Sequence, residues 1–407
     1  MVETFLPTHH LPLGGLRRNV STKITGMIRI AIDCHKLEDG NGASRAGIGR
    51  HTQRLLEELA EIPNIRDTHR FYLYFKASIP EGMPFLEDEL FISKVAKLPF
   101  FFPFFRPSFN SFFHLGMPLR ALLDRIDVGF FPSFMLPALW PTRSVVVLTN
   151  DVHYEMTQGS LPLRYRIGYT LFSTWAARRA TRITTQTNAS ADDISKQFNI
   201  TKADITVVPL GADIATYGSD TAPKEDYILY VGQAFPRRHL RETMLAFEMV
   251  APAFPSLRLI AVGVDKYNPP MADELAKTIN NRLGGERVER REGVSDAQLR
   301  DLYRRATLFT YISSSEAMGL PPLEALAAGT VPVVADTPTT HEIFGNHAFF
   351  VENPDDPADI AATLKSALSN EESRKRVLSG REEVIGKYTW ARHAKMMLEL
   401  FNEAASA

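Results

Sequence analysis

Short apolar runs recur along the chain, each bounded by Gly, Pro or charged residues, with longer segments of helix-forming composition between most of them. In the first half the runs are Ile28–Asp33, Phe71–Phe75, the segment from Val145 and the segment from Ile205, with a further strand expected over Arg182–Gln186. In the second half they are Tyr227–Val231, Leu257–Val262 and Val331–Ala335, with a further strand expected over the charged stretch Val288–Gly293. Runs this short and apolar predict buried strands of a parallel sheet, where both faces are covered. Helices are predicted from about Arg50 to Ala60, over 161–182, after Arg238 to about Val250, from Ser295, after Pro321-Pro322, and after Trp390 to about Ala404. Strands alternating with helices make an α/β chain. At 407 residues it exceeds one ordinary core, so two domains of about 200 residues each are expected.

The stretch Tyr311–Asp336, YISSSEAMGLPPLEALAAGTVPVVAD, concentrates the candidate chemistry. A Pro pair followed by Leu-Glu-Ala-Leu-Ala-Ala and then Gly329 predicts a short helix, which the run Val331–Ala335 follows as a buried strand. The helix N-terminus, with its partial positive charge and free N–H groups, points back at the preceding loop and suits a phosphate. Glu316 lies in that loop and Glu324 about one turn inside the helix. Carboxylates beside a phosphate site are suited to accepting hydrogen bonds from hydroxyls, which a sugar nucleotide offers on both sides of its diphosphate.

The stretch resembles the E-x7-E signature of retaining glycosyltransferases of the GT-B fold, family 4, usually written S-x-x-E-G-F-G-L-P-x-L-E-A-[MA]-A-x-G-x-P-V-V. Ala317 and Met318 stand where Gly and Phe are usual. The resemblance continues elsewhere. Gly47-Ile48-Gly49-Arg50, in a Gly-rich loop that also holds Gly40 and Gly42, resembles the G-[IG]-G-R of the family's first loop, which faces the donor phosphates and the acceptor. The other reading of that loop is a flexible turn that starts a helix. Gly232, Arg237 and Arg238 fit Y-V-G-x-x-x-x-R-K-N-L, whose Arg and Lys contact the leaving diphosphate, with a planar guanidinium in place of the Lys. Two arginines at a helix start would otherwise oppose the helix dipole. Asn188-Ala189-Ser190 resembles the V-S-x-x-S turn, the segment 205–213 resembles I-x-V-I-P-N-G-V-D, and Tyr388-Thr389-Trp390 resembles F-[ST]-W. At V-x-T-x-H-D-L, whose His reaches the donor sugar, Asn150 replaces the His. Asp151 is kept there, and His153 two residues later is either a partial substitute or an ordinary loop histidine.

Charge and composition then narrow the setting. A net charge of −1 argues against a general nucleic-acid binder. One cysteine, Cys34, excludes an internal disulfide and fits a reducing cytoplasm. No apolar run is long enough for a transmembrane span, and residues 1–26, lacking the apolar core of a signal peptide, are expected to be a disordered leader. Two segments contain no acid. Residues 97–120 carry eight phenylalanines, and residues 161–182 carry five arginines. The first is read as an aromatic-basic edge that dips into the membrane interface or lines a lipid channel, or alternatively as a loop packed on the core, and the second as a surface for anionic lipid headgroups or an acceptor diphosphate.

The resemblance implies two Rossmann-like domains facing each other across a cleft: 27–213 for the acceptor, 214–226 as linker, 227–386 for the donor, and 387–407 as a helix crossing back. It implies catalytic roles for Glu316, Arg237, Arg238, Asp151 and His153, and donor contacts from Gly47, Gly49, Arg50, Gly232, Met318, Gly319, Leu320 and Glu324. No D-x-D follows a buried strand, so arginine and not a metal ion is expected to neutralise the diphosphate, and no cofactor is implied. Expected partners are a nucleotide sugar, GDP-mannose above others, and a glycan or polyprenyl-diphosphate-linked acceptor at the cytoplasmic face of a membrane. The alternatives are an enzyme that uses UDP- or ADP-sugar on a soluble acceptor, and a non-catalytic sugar-nucleotide or glycan-binding subunit, which the loss of the His at Asn150 favours.

Overall fold

A computed structural model describes residues 26–38, 47–96, 109–150, 154, 163–212 and 222–407. Most of the proposed leader and linker, residues 97–108, Gly40, Gly42, Asp151 and His153 lie outside them. The apolar runs form two parallel sheets. The first contains β1 (Ile28–Asp33), β2 (His69–Phe75), β3 (Phe91–Val95), β4 (Val128–Phe131), β5 (Arg143–Val147), β6 (Arg182–Thr185) and β7 (Ile205–Val207), in the order β3-β2-β1-β4-β5-β6-β7. The second contains β8 (Glu225–Val231), β9 (Arg258–Val262), β10 (Val288–Arg291), β11 (Ala306–Tyr311), β12 (Val331–Ala335) and β13 (Phe349–Val351), in the order β10-β9-β8-β11-β12-β13. In both, the order reverses beside the first strand, and ligands of open parallel sheets gather at the C-terminal strand ends next to such a reversal. β8 begins inside the stretch read as linker, because Glu225 and Asp226, both exposed, extend its N-terminal end.

Seven helices carry the argument: α1 (Ile48–Ala60), α2 (Leu163–Arg179), α3 (Asn188–Phe198), α4 (Leu240–Val250), α5 (Leu320–Ala327), α6 (Pro338–Phe344) and α7 (Trp390–Ser406). α7 follows the second sheet in sequence but packs on the first. Ala394, Met397, Leu400, Phe401 and Ala404 join the core formed by β1, β4, β5 and α1. Within residues 109–120, Phe112, Phe113 and Met117 are buried, and Phe113 meets Phe131 edge-on. That part of the phenylalanine-rich segment is core, as the apolar character of Phe favours.

Where α7 meets α1, two buried histidines face each other, with His51 Nε2 and His393 Nε2 2.9 Å apart. His393 Nδ1 lies 2.9 Å from the Pro209 carbonyl. A carbonyl only accepts, so Nδ1 carries the proton, His393 Nε2 accepts, and His51 Nε2 donates. Burial, and then the neighbouring His393, holds His51 well below its ordinary value; burial lowers His393 to about 4 despite the Pro209 bond. Both rings are therefore neutral in the fold, while an unfolded chain protonates them near pH 6.5. Their contribution to stability is complete above pH 6.5 and is lost as the pH falls from there to about 4. Thermal unfolding midpoints measured from pH 7.5 to 4.5 are expected to fall less steeply for His393→Gln than for the parent chain, because one proton-uptake site is gone.

Candidate functional site

The C-terminal ends of β8 and β11 lie side by side, and the loops leaving them hold a dense polar cluster. β11 ends at Tyr311, and Ser313 and Glu316 follow on the turn toward α5. β8 ends at Val231, after which Gly232 and Gln233 lead to Arg237, Arg238 and the start of α4. Gly232 has φ 150°, and a Cβ there would stand 3.2 Å from Arg238 Nη1 and 3.4 Å from the Tyr311 ring. The missing side chain is what lets the Arg238 guanidinium lie close to the strand end. His239 takes a left-handed conformation at φ 44° to turn the chain into α4, with its ring 2.5 Å from Ser314 Oγ.

Glu316 is the centre of this cluster. Arg238 Nε donates to its Oε1 at 2.7 Å and Arg238 Nη2 to its Oε2 at 3.3 Å. Tyr311 Oη and Ser313 Oγ donate to Oε1 at 3.1 and 3.0 Å, and Arg237 Nη2 stands 3.6 Å away. The side chains of Arg237, Arg238 and Glu316 are only 4%, 16% and 13% exposed. Burial by itself would raise the Glu316 carboxyl, but Arg238 and then Arg237 outweigh it and hold it at about 2. Burial likewise opposes the Arg238 charge, which Glu316 more than restores. Phe235 lies under both guanidiniums, with centroid distances of 5.0 and 5.8 Å. Both guanidiniums thus stand against the Glu316 carboxylate at the strand ends.

The E-x7-E helix supplies the opposite edge. Gly319, at φ 76°, turns the loop into α5 in a conformation few side chains adopt. Glu324 is buried in α5, accepts from Tyr303 Oη at 3.2 Å, and pairs at 2.5 Å with Arg50 Nη2 of α1, across the cleft. Arg50 sits in the first turn of α1, which opens at Gly47 and buries Gly49. The expected ribose partner and the expected phosphate partner therefore hold each other here. More bonds join the two domains around the same stretch. Thr187 Oγ1 donates to the Ala317 carbonyl at 3.0 Å, and the Leu210 N–H meets Met318 Sδ at 3.2 Å. Glu342 of α6 accepts from the first N–H groups of α3, Asn188 at 2.8 Å and Ala189 at 2.9 Å. A carboxylate there complements the helix dipole.

Between the domains lies a cavity of about 230 Å³, walled by Asn150, Asp193 and Lys196 on one side and by Ser315, Glu316 and Thr339 on the other. The structure thus gathers Glu316, Arg237, Arg238, Gly232, Met318, Gly319, Leu320, Glu324, Arg50, Gly47 and Gly49 around one cleft. Sequence reasoning missed Tyr311, Ser313 and Tyr303, whose hydroxyls hold the two glutamates, and also Glu342 and Asp193. A polar residue at or just after the end of an apolar run was the available signal for Tyr311 and Ser313.

Two family models match this architecture half by half. Residues 45–216 match Glycosyltransferase Family 4, and residues 218–380 match Glycosyl transferases group 1. The chain belongs to the family 4 type of GT-B glycosyltransferases. Among proteins it resembles is the O-antigen chain mannosyltransferase RfbU of Salmonella typhimurium, 25% identical over 54% of this chain and 60% of that one. The O-antigen chain mannosyltransferase B of Escherichia coli is 26% identical over 81% of this chain and 88% of that one. The GDP-mannose:cellobiosyl-diphosphopolyprenol alpha-mannosyltransferase of Xanthomonas oryzae is 25% identical over 49% of this chain and 53% of that one. The chain therefore spans about three-fifths of the Salmonella relative and about half of the Xanthomonas one. In fold it matches WaaG, a glycosyltransferase of lipopolysaccharide biosynthesis, with a TM-score of 0.67 and 16% identity over 91% of this chain and 99% of that one. It also matches Anabaena HepE in complex with UDP and glucose, with a TM-score of 0.64 and 16% identity over 92% of this chain and the whole of that one.

Because Glu316 has two cations and two hydroxyls arranged on it, Glu316→Ala leaves Arg238 buried without its anion, a change costing about 3–5 kcal/mol for a buried pair. Glu316→Gln, which keeps the shape, is expected to cost less. Urea unfolding of the two variants beside the parent checks this; equal stability of all three would mean that the cluster is solvated.

Proposed function

We propose that the protein moves a hexose, mannose from GDP-mannose in the favoured reading, onto a lipid-linked or polysaccharide acceptor, with retention and without an essential metal. The observation that carries this is the pair of buried guanidiniums, Arg237 and Arg238, held beside Glu316 at the β8 and β11 ends. Negative charge builds on the leaving diphosphate as the bond from sugar carbon to phosphate oxygen breaks, and preorganised guanidiniums there stabilise it by several kcal/mol or about that order. The N-terminus of α5 adds its dipole from the other side. Glu324 takes the ribose hydroxyls as Arg50 moves from it toward phosphate. The acceptor hydroxyl attacks from the leaving-group face, its proton passing to a departing phosphate oxygen, so no separate base is needed where Asn150 stands in place of the family His. Mannose is favoured because the relatives named above are mannosyltransferases. The second reading, a sugar-nucleotide-binding subunit, draws on Asn150 alone and predicts no donor-dependent release of nucleoside diphosphate.

Attachment to an anionic membrane belongs to the same proposal. On α2, Leu163, Ile167, Leu171 and Trp175 recur every fourth residue and are 67, 52, 65 and 37% exposed. Tyr169, Ser173, Ala176 and Ala177 of the same helix are buried, so α2 has an apolar face beyond the one that meets the core. Arg166, Arg178 and Arg179 are exposed beside the outer face, and the described part of α2 has no acid. Leu122, Leu123 and Leu139 are exposed in the same domain. A helix with apolar side chains flanked by arginine suits the interface of an anionic bilayer. No helix among the described residues is long and apolar enough to cross a membrane.

Two outcomes are expected. Glu324→Ala weakens nucleoside diphosphate binding by about 1–3 kcal/mol in isothermal titration, and EDTA leaves turnover unchanged. Undiminished affinity, or a strict need for added divalent ion, contradicts the assignment. On vesicles containing anionic lipid, the parent chain sediments at low salt and is released at high salt, while a variant with Arg166, Arg178 and Arg179 changed to Gln stays in solution. If neither sediments, the apolar face of α2 has another use.

A further inference from the structure

The cavity between Asp193 and Glu316 has a wall whose geometry is fixed more closely than its exposure suggests. Thr185 Oγ1 donates to Ser190 Oγ at 3.0 Å, and Ser190 Oγ donates to Asn150 Oδ1 at 3.1 Å. The Asn150 amide therefore turns its nitrogen the other way and donates from Nδ2 to Asp193 Oδ2 at 2.9 Å. This orientation is set by chemistry, because a carboxylate can only accept. Asn150 is buried, and Asp193 stands on the second turn of α3 facing the cavity. One acceptor site of the Asp193 carboxylate is used by Asn150, out of about four. Across the cavity Glu316 is already committed to Arg238, Tyr311 and Ser313. Asp192, the neighbour of Asp193, also lines the cavity but is paired with Lys202 at 2.6 Å. At about 230 Å³, the space is below the 300 Å³ or so at which pockets for drug-sized ligands begin, and it fits one sugar ring better than a nucleotide.

We propose that Asp193 accepts hydrogen bonds from hydroxyls of the transferred hexose, and that Asn150 is the positioning residue that aims it. The assignment rests on the nucleotide-sugar reading above and adds to it the group on the N-terminal domain that recognises the sugar. A carboxylate built to meet hydroxyls discriminates against a ligand lacking them, because its acceptor sites are then desolvated without partners. Asp193 thus contributes to binding of the nucleotide sugar and nothing to binding of the bare nucleotide, whose base, ribose and diphosphate lie toward Glu324 and the arginines.

Isothermal titration of GDP and GDP-mannose, with UDP and UDP-glucose as a second pair, tests this on the full chain. Asp193→Ala is expected to weaken the preferred nucleotide sugar about tenfold, the loss of one hydrogen bond to a charged group, and to leave the matching nucleoside diphosphate unchanged. Asn150→Ala shifts the same ratio by less, and Asp193→Asn, which keeps an acceptor oxygen, recovers part of it. An unchanged ratio in Asp193→Ala overturns the assignment, as does an equal loss for sugar nucleotide and bare nucleotide. A loss confined to the acceptor KM also overturns it and moves Asp193 to the acceptor. Because the readout is binding, a parent chain that takes up nucleotide sugar without turnover sinks only the enzymatic reading. One that binds neither nucleotide sinks the nucleotide-sugar reading itself and this assignment with it.

Discussion

A single buried carboxylate orders the C-terminal half of the cleft. Glu316 stays ionised where burial alone would neutralise it, because Arg238 and Arg237 stand against it. A buried ion pair is weak evidence for stability as such, but removing one partner is costly, so each member fixes the others. The consequences reach well beyond the three side chains. A Cβ at Gly232 would crowd Arg238 Nη1 and the Tyr311 ring at the strand end, and Phe235 lies under both guanidiniums. His239 must turn the chain through a left-handed conformation to begin α4. Tyr311 and Ser313 spend their hydroxyls on the same carboxylate.

The stretch that holds Glu316 also joins the domains. Ala317 and Met318 bond to Thr187 and Leu210, and Glu324 one helix turn on meets Arg50. Glu342 closes the same side by taking the first N–H groups of α3. Domain contact and site assembly therefore depend on the same dozen or so residues, and a ligand that separates Arg50 from Glu324 alters both. The closed cleft leaves room for a sugar ring at Asn150 and Asp193. Arg50 occupies the Glu324 carboxylate in this state, so a nucleotide that uses Glu324 must open that contact.

Much of this was legible in the sequence. Most of the buried parallel strands read as apolar runs, although β6 and β10 are largely polar, and the Pro pair and Gly329 marked the start and end of α5. The E-x7-E spacing placed both glutamates. What stayed hidden depends on residues far apart in the chain. The pairing of Arg238 with Glu316 across seventy-eight positions, of Arg50 with Glu324, and of Asn150 with Asp193 leaves no local signature. The outer face of α2 was obscured differently. Its inner face is also apolar, so the two faces cancel in any measure of one-sidedness, and only charge marked the helix as unusual. Asp151 and His153 lie outside the described residues, and their proposed catalytic roles are untouched by the geometry.

The central claim is that the guanidinium pair is the seat of a diphosphate. Titration of guanosine, GMP and GDP in the presence of EDTA tests it most directly, with the uridine series beside it. The account predicts that affinity climbs at least about a hundredfold from nucleoside to diphosphate, two charge-assisted contacts at ordinary strength, and that the climb shrinks about tenfold in Arg238→Ala, which removes one of them. Equal affinity for nucleoside and diphosphate, or a climb undiminished by the loss of Arg238, would contradict it.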